Sequence, residues 1–229
     1  MTAEEFQSGQ TLLIDKPLHW SSFQAVNKLK YALKSHRGLK KIKIGHAGTL
    51  DPLATGLLIV CAGKSTKSIS EIQGQSKEYT GTFHLGATTP SYDLETEIDQ
   101  RYETAHITPQ LIAETLKQFT GTIMQKPPVF SAIKKDGKRL YEHARAGTEV
   151  EIQARQTVIY EFEITRFELP EMDFRIKCSK GTYIRSIAHD FGQALGSGAH
   201  LAVLRRTKIG DFDVADAISP AQFENQLKS

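Results

Sequence analysis

A chain of 229 residues, 39% hydrophobic and 24% charged, carries enough apolar material for one large domain or two small ones packed closely together. No apolar run approaches the roughly 18 residues of a membrane span, and the N-terminus MTAEEFQSGQ is polar and slightly acidic, unlike a secretory leader. Two cysteines, Cys61 and Cys178, lie far apart in apolar segments without a CxxC pair, which excludes a disulfide scaffold and fits a reduced, cytoplasmic setting. The net charge of +3 is unevenly spread: residues 1–77 hold eleven Lys/Arg against five Asp/Glu, and 121–210 hold fifteen against ten. Residues 78–120 reverse the balance, with seven acids against two bases. Basic surfaces from two separate regions suit a phosphate-rich partner, although ordinary solvated surface accounts for charge alone equally well.

Thr11–Ile14 reads as a strand running into the turn Asp15-Lys16-Pro17. Ser22 is placed to cap a helix with Phe23, Val26, Leu29 and Leu33 on one face. The basic stretch Lys34–Lys43 reads as a loop or strand edge, Gly45–Gly56 as a loop, and Leu57–Cys61 as a buried strand. Tyr79–Leu85 alternates as a strand does, and Thr89–Gln100 is a polar, acidic loop. Thr108-Pro109 opens a helix to about Phe119, Thr157–Phe167 and Phe174–Cys178 alternate as strands, and Ile184, Ile187, Ala188, Phe191 and Leu195 make a helical face. Ser219-Pro220 opens a last short helix. Helices and strands interleave irregularly with several strands adjacent, which favours an α+β fold over a regular βαβ array.

Gly63-Lys64-Ser65 resembles the end of a phosphate-binding P-loop, but that motif needs a glycine where Leu58 stands, and the intervening LIVCA is apolar. Lys64 is then a surface or RNA-facing lysine. The eight histidines form no HxxxH pair or His/Cys cluster, and no GxSxG elbow occurs, so a catalytic role would fall to carboxylate, phenol and guanidinium groups. The informative segment is GHAGTLDPLATG, residues 45–56, whose glycines permit tight turns and close approach. Asp51 precedes Pro52, which biases it towards extended backbone; from spacing alone it reads either as an acid projecting from the loop or as a helix cap.

GHAGTLDPLATGLL resembles the catalytic motif of the tRNA pseudouridine synthase B family, which makes pseudouridine at position 55 of tRNA. The likeness extends in order through LLIDKPLHWSS, KEYTGTFHLGATTPSYD, QKPPVFSAIKKDGKRLYEHARAG and CSKGTYIRSIAHDFGQALGSGAHLAVLRRTKIGDF. It implies a mixed, largely antiparallel central sheet flanked by helices and loops, with the active-site cleft across it. Asp51 then corresponds to the essential aspartate, Tyr79 to the tyrosine against the target uracil, and Arg185 to the arginine that pairs with the aspartate. His46 corresponds to the histidine that meets RNA when the base is extruded, and Lys16 and Leu204 to the pocket lining. Lys16 has the alternative of bonding Asp15 or a carbonyl. Tyr183, Lys64, Lys134 and Arg139 are expected to contact RNA.

The resemblance implies a cofactor-free, metal-free enzyme acting as a monomer on the tRNA T-arm without a protein partner. It also implies a single catalytic domain over 1–229, with an RNA-clamping insertion at about 125–150 and no C-terminal PUA domain. The rival readings are an RNA-binding or tRNA-folding protein without turnover, and a guide-dependent pseudouridylase.

Overall fold

The computed structural model describes residues 1–131, 134–135, 138–140 and 150–228, with backbone only at 134–135 and 138–139. In chain order the first elements are α1 (Ala3–Ser8), β1 (Gln10–Lys16), α2 (Ser22–Arg37), β2 (Ile44–His46), β3 (Ala54–Ala62), α3 (Ile69–Gly74) and β4 (Lys77–Leu85). There follow β5 (Ala87–Thr88), β6 (Gln100–Arg101), α4 (Pro109–Leu116), β7 (Gly121–Gln125), β8 (Lys134–Lys135), β9 (Lys138–Arg139) and β10 (Arg155–Glu168). The chain ends through β11 (Glu171–Cys178), α5 (Ile184–Ala194), β12 (Ala199–Ile209), β13 (Phe212–Asp213) and α6 (Pro220–Lys228). The mixture is α+β, as expected. None of its described helices is long and apolar enough to cross a membrane. The chain forms two compact units, residues 1–79 with 204–229, and residues 80–203.

In the first unit β3 is the central strand. It pairs antiparallel with β1 along its length, antiparallel with β2 at residues 60–62, and parallel with β12 at residues 54–56. Both faces of β3 are covered, which explains why LLIVCA is apolar without alternation. Leu58, Val60 and Ala62 join a core with Ile14, Val26, Leu29, Leu33, Phe223 and Leu227, whereas Leu57, Ile59 and Cys61 pack with Ala47, Ile72 and Ile209 on the other side. The cap of α2 is Ser21, whose hydroxyl accepts from the Gln24 N–H while the Gln24 side chain accepts from the Ser21 N–H. Phe23 is 69% exposed, so the buried stripe runs instead through Ala25, Val26, Leu29, Ala32 and Leu33.

In the second unit β10 pairs antiparallel with β11 and with β7. Phe83, Phe162, Phe174 and Phe191 meet there, with the Phe83 and Phe174 centroids 4.3 Å apart. The expected apolar face of α5 is buried at Ile184, Ile187, Ala188 and Phe191. The short strands β8 and β9 pair within the segment read as an RNA clamp. Residues 132–133, 136–137 and 141–149 of that segment lie outside the described residues, as do the side chains of Lys134 and Arg139.

Gly56 of β3 lies beside Arg206 of β12. Its φ of 100° lies in a region that side-chain-bearing residues avoid, and a Cβ there would stand 2.3 Å from the Arg206 carbonyl oxygen. Gly56→Ala should therefore cost on the order of 2 kcal/mol in urea unfolding. An unchanged unfolding midpoint would contradict the parallel register of these strands.

Candidate active site

The loop between β2 and β3 contains no helix, so the Asp51-Pro52 pair does not serve as a helix cap. The Asp51 carbonyl accepts from the Ala54 N–H at 3.1 Å, and the chain turns directly into β3. Nearly every residue around Asp51 is held by its backbone. The Ala47 N–H donates to Ile59 O (2.9 Å), and Pro52 O accepts from the His19 N–H (2.8 Å). Ser22 Oγ accepts from the Leu50 N–H at 2.8 Å and donates to the Leu50 carbonyl at 3.0 Å. The Leu50 side chain is buried on the same site. Asp51 itself remains half-buried, an acid presented by a loop whose neighbours cannot drift.

The remaining ties come from Arg206, which is 1% exposed. A guanidinium so far from water needs acceptors in full, because a buried charge without hydrogen bonds is very costly. Arg206 finds them in backbone carbonyls: Nε donates to Leu57 (2.8 Å), Nη2 to Gly48 (3.2 Å) and Nη1 to Thr49 (3.4 Å). The parallel register sets Leu204, Arg205 and Arg206 beside Ala54, Thr55 and Gly56. Leu204 is thereby buried next to the loop exit. Arg205 points the other way and binds both carboxylate oxygens of Asp15, at 3.0 and 2.7 Å.

Lys16 is completely buried, and Nζ donates to the carbonyls of Pro17 (2.9 Å) and Trp20 (2.6 Å). The carbonyl-bonding alternative is therefore realised. Burial pulls its pKa from 10.5 to about 8, the charge of Asp51 opposing that shift and Arg206 adding to it. His46 is half-buried in β2 opposite Val60. Burial lowers its pKa, the Gly48 backbone opposes the shift, and Arg206 adds to it, so the ring is neutral at physiological pH. Tyr79 is a buried residue of β4. Lys64 is exposed on the 3-10 turn Gly63–Ser68, where it lines a groove of about 260 Å³ with Lys43, Lys67, Thr66, Gln7 and Ile42.

In the second unit, Arg185 near the start of α5 is 4% exposed. Its Nη1 donates to the Ser91 carbonyl at 3.3 Å, and its Nε stands 3.5 Å from Oδ2 of Asp93, itself 5% exposed. Tyr183 precedes the helix. The side-chain amide of Gln125 binds its backbone twice, accepting from Tyr183 N (2.8 Å) and donating to Tyr183 O (3.0 Å). The Arg155 guanidinium lies over the Tyr183 ring, 5.2 Å from its centroid.

The first unit thus gathers Asp51, His46, Lys16 and Leu204 around one loop, while Arg185 and Tyr183 belong to the second. Ser22, Arg206, Asp93 and Gln125 carry the supporting contacts, and residue type alone did not single them out. No three His, Cys, Asp or Glu side chains are grouped to hold a metal among the described residues.

Ser22→Ala leaves the buried Leu50 N–H and C=O without their partner, and should cost about 1–3 kcal/mol of stability in denaturant unfolding. For Lys16 the depressed pKa means that the unfolded chain binds more protons between pH 8 and 10.5. Relative to Lys16→Met, the native protein should accordingly gain stability as pH rises through that window. A flat difference between the two unfolding curves would contradict the burial of this amine.

The family model described as TruB family pseudouridylate synthase, N-terminal domain, matches residues 36–184, and that of the tRNA pseudouridylate synthase B C-terminal domain matches 185–229. The chain is 71% identical to the tRNA pseudouridine synthase B of Flavobacterium johnsoniae over 100% of both proteins. It is 54% identical to the protein of that name from Phocaeicola vulgatus, over 97% of this chain and 94% of the relative. Among solved structures it is similar to a chain of a Cbf5-Nop10-Gar1 complex, at TM-score 0.69 and 31% identity, covering 92% of this chain and 51% of that one. It is equally similar, at TM-score 0.69 and 27% identity, to a chain of an archaeal box H/ACA sRNP Nop10-Cbf5 complex, covering 97% and 54%. The chain spans about half the length of these two solved structures and nearly the whole of its named bacterial relatives. The motifs, the loop that presents Asp51 and these full-length matches agree: the chain belongs to the TruB family of pseudouridylate synthases.

Proposed function

We propose that this protein isomerises uridine 55 in the T-loop of tRNA to pseudouridine, acting in the cytoplasm as a monomer on the T-arm and without a protein partner. The carrying observation is the carboxylate of Asp51, half-buried on a loop tied by Ser22, Arg206 and His19, in a chain 71% identical over its full length to a named tRNA pseudouridine synthase B.

The reaction breaks the C1′–N1 bond of the nucleotide, turns the uracil and joins C5 to C1′. One proton leaves C5 and one is gained at N1, so atoms and electrons balance without an oxidant or a source of energy. A carboxylate fits the first step in either of two ways. It attacks or stabilises the electron-poor sugar carbon, as carboxylates do in glycosidases, or it removes the C2′ proton to form a glycal. In either route the group has to be fixed in place before the nucleotide arrives, because misplacement by an ångström costs rate. The backbone ties on both sides of Asp51 supply that fixation.

In this reading Arg185 is the cationic partner of Asp51, Tyr79 lies against the uracil and is the candidate C5 base, and His46 fills the place in the RNA stack vacated by the extruded base. A neutral His46 ring suits stacking, since it brings no desolvation penalty for charge. Extrusion costs a few kcal/mol of unstacking, which phosphate contacts offset. Lys64, Lys43 and Lys67 around their shared groove are suited to such contacts, and Lys134, Arg139 and Tyr183 are proposed to add to them.

The decisive experiment mixes an unmodified tRNA transcript with the protein alone and maps pseudouridine by position. Product at position 55 alone is expected, whereas product that appears only with added protein or guide RNA would favour the guide-dependent reading. Asp51→Asn should lower turnover at least about a thousandfold while binding the transcript within a few-fold of the native protein. A variant that keeps a substantial fraction of turnover would remove Asp51 from the chemistry. Affinity should fall at least about tenfold between roughly 50 and 200 mM salt, because phosphate contacts release counterions. A flat salt response would contradict the lysine-lined groove as an RNA contact.

A further inference from the structure

The turn Ser91–Asp93 offers Arg185 the Ser91 carbonyl as a hydrogen-bond acceptor and the Asp93 carboxylate as an ion-pair partner, and it contains a residue in an unusual conformation. Tyr92 has φ 64°, a left-handed geometry that bulky side chains avoid. The turn is otherwise densely bonded. The Tyr92 N–H donates to Thr89 O (3.1 Å), Tyr92 O accepts from Leu201 N (2.9 Å), and Thr89 Oγ1 donates to Asp93 O (2.6 Å). The Tyr92 ring stacks on His189, with centroids 3.9 Å apart and planes inclined by 14°. His189 lies four residues after Arg185 on α5 and so on the same helical face. Helix α5 therefore grips the turn at two points one helical turn apart, through the Arg185 guanidinium and through the His189 ring.

We propose that Tyr92 and His189 are positioning residues, whose stack keeps the turn in its strained form and so holds the Asp93 carboxylate and the Ser91 carbonyl against Arg185. Released from its ring contact, Tyr92 relaxes to negative φ, which rotates the peptide units on either side of it. The first unit carries the Ser91 carbonyl that accepts from Nη1, and the second leads into Asp93, whose carboxylate stands 3.5 Å from Nε. Packing, more than hydrogen bonding, orients the ring: His189 Nδ1 is buried and makes no hydrogen bond among the described residues. Burial also keeps the imidazole below its ordinary pKa, against the weaker pull of Asp99, so the pair consists of two uncharged rings at neutral pH. The inference rests on the reading that Arg185 serves the reaction.

The test measures kcat and KM for pseudouridine formation in single variants and in pairs. Tyr92→Ala removes the ring and keeps the backbone preference for negative φ, and His189→Ala removes the other half of the stack. Each should lower kcat about tenfold with KM changed less than about twofold. Tyr92→Phe and His189→Phe keep a flat ring at each place and should restore kcat to within about twofold of the native value. In an Asp93→Asn background, Tyr92→Ala should add less than about a further twofold, because both changes act through one contact. Native kcat in both alanine variants, a loss confined to KM, or full additivity with Asp93→Asn would each overturn the proposal. Should Tyr92→Ala fail to fold, the two His189 variants make the same comparison with the turn sequence intact. Arg185→Lys separates the parent reading: its loss of kcat beside unaffected stack variants overturns the stack alone, and its own native kcat overturns both.

Discussion

Taking a guanidinium out of water leaves five N–H donors to satisfy, and Arg206 commits three of them to carbonyls from one stretch of chain, Gly48, Thr49 and Leu57. That demand couples two segments some 150 residues apart. The loop cannot swing away from β12 without stranding a buried charge, so its shape is set by a requirement stronger than loop propensity. Gly56 makes the approach possible, since any side chain there would meet the Arg206 backbone. Ser22 completes the restraint from the opposite direction by binding both polar groups of Leu50. Asp51 inherits its position from neighbours that have no freedom of their own.

The second unit solves a similar problem with different means. Arg185 is buried to nearly the same degree, and it meets the Ser91 carbonyl and the Asp93 carboxylate on a turn whose backbone is strained at Tyr92. Each arginine thus meets oxygens drawn from one segment of chain, residues 48–57 for Arg206 and 91–93 for Arg185. In each case the sequence spends an unusual residue to make the geometry fit: a glycine at φ 100° in one and a stacked tyrosine at φ 64° in the other. Strain of this kind persists only where surrounding contacts over-determine the conformation, and it concentrates where orientation matters to function.

Much of this was legible from residue patterns, and what was hidden had physical causes. The apolar run LLIVCA announced a strand covered on both faces, and the face of α5 was readable from its 3.6-residue spacing. Strand β12 was not, because its buried positions include His200 and Arg206, which interrupt the alternation that marks a strand. The adjacent arginines of LRRT look alike in a sequence, yet the pleat sends Arg205 to a half-exposed carboxylate and Arg206 to the interior. Helix α1 carried a readable signal, the Thr2–Glu5 capping box, but six residues offer too little periodicity to support it. The cap of α2 was misplaced by one residue, and that residue mattered: Ser21 caps the helix, which leaves Ser22 to hold Leu50. Asp51, His46 and Leu204 were identified by motif, whereas Arg206, Ser22 and Asp93 emerge only from contacts distant in sequence.

The central claim is that the loop presenting Asp51 is rigid before any RNA arrives. Amide hydrogen exchange on the free protein reads this directly at Ala47, Leu50 and Ala54, whose N–H groups are bound to Ile59 O, Ser22 Oγ and Asp51 O. The account predicts protection at these three amides close to that of β3, with Leu50 losing it in Arg206→Lys. Exchange at the rate of an open loop in the native protein, with protection gained only when tRNA is added, would contradict it.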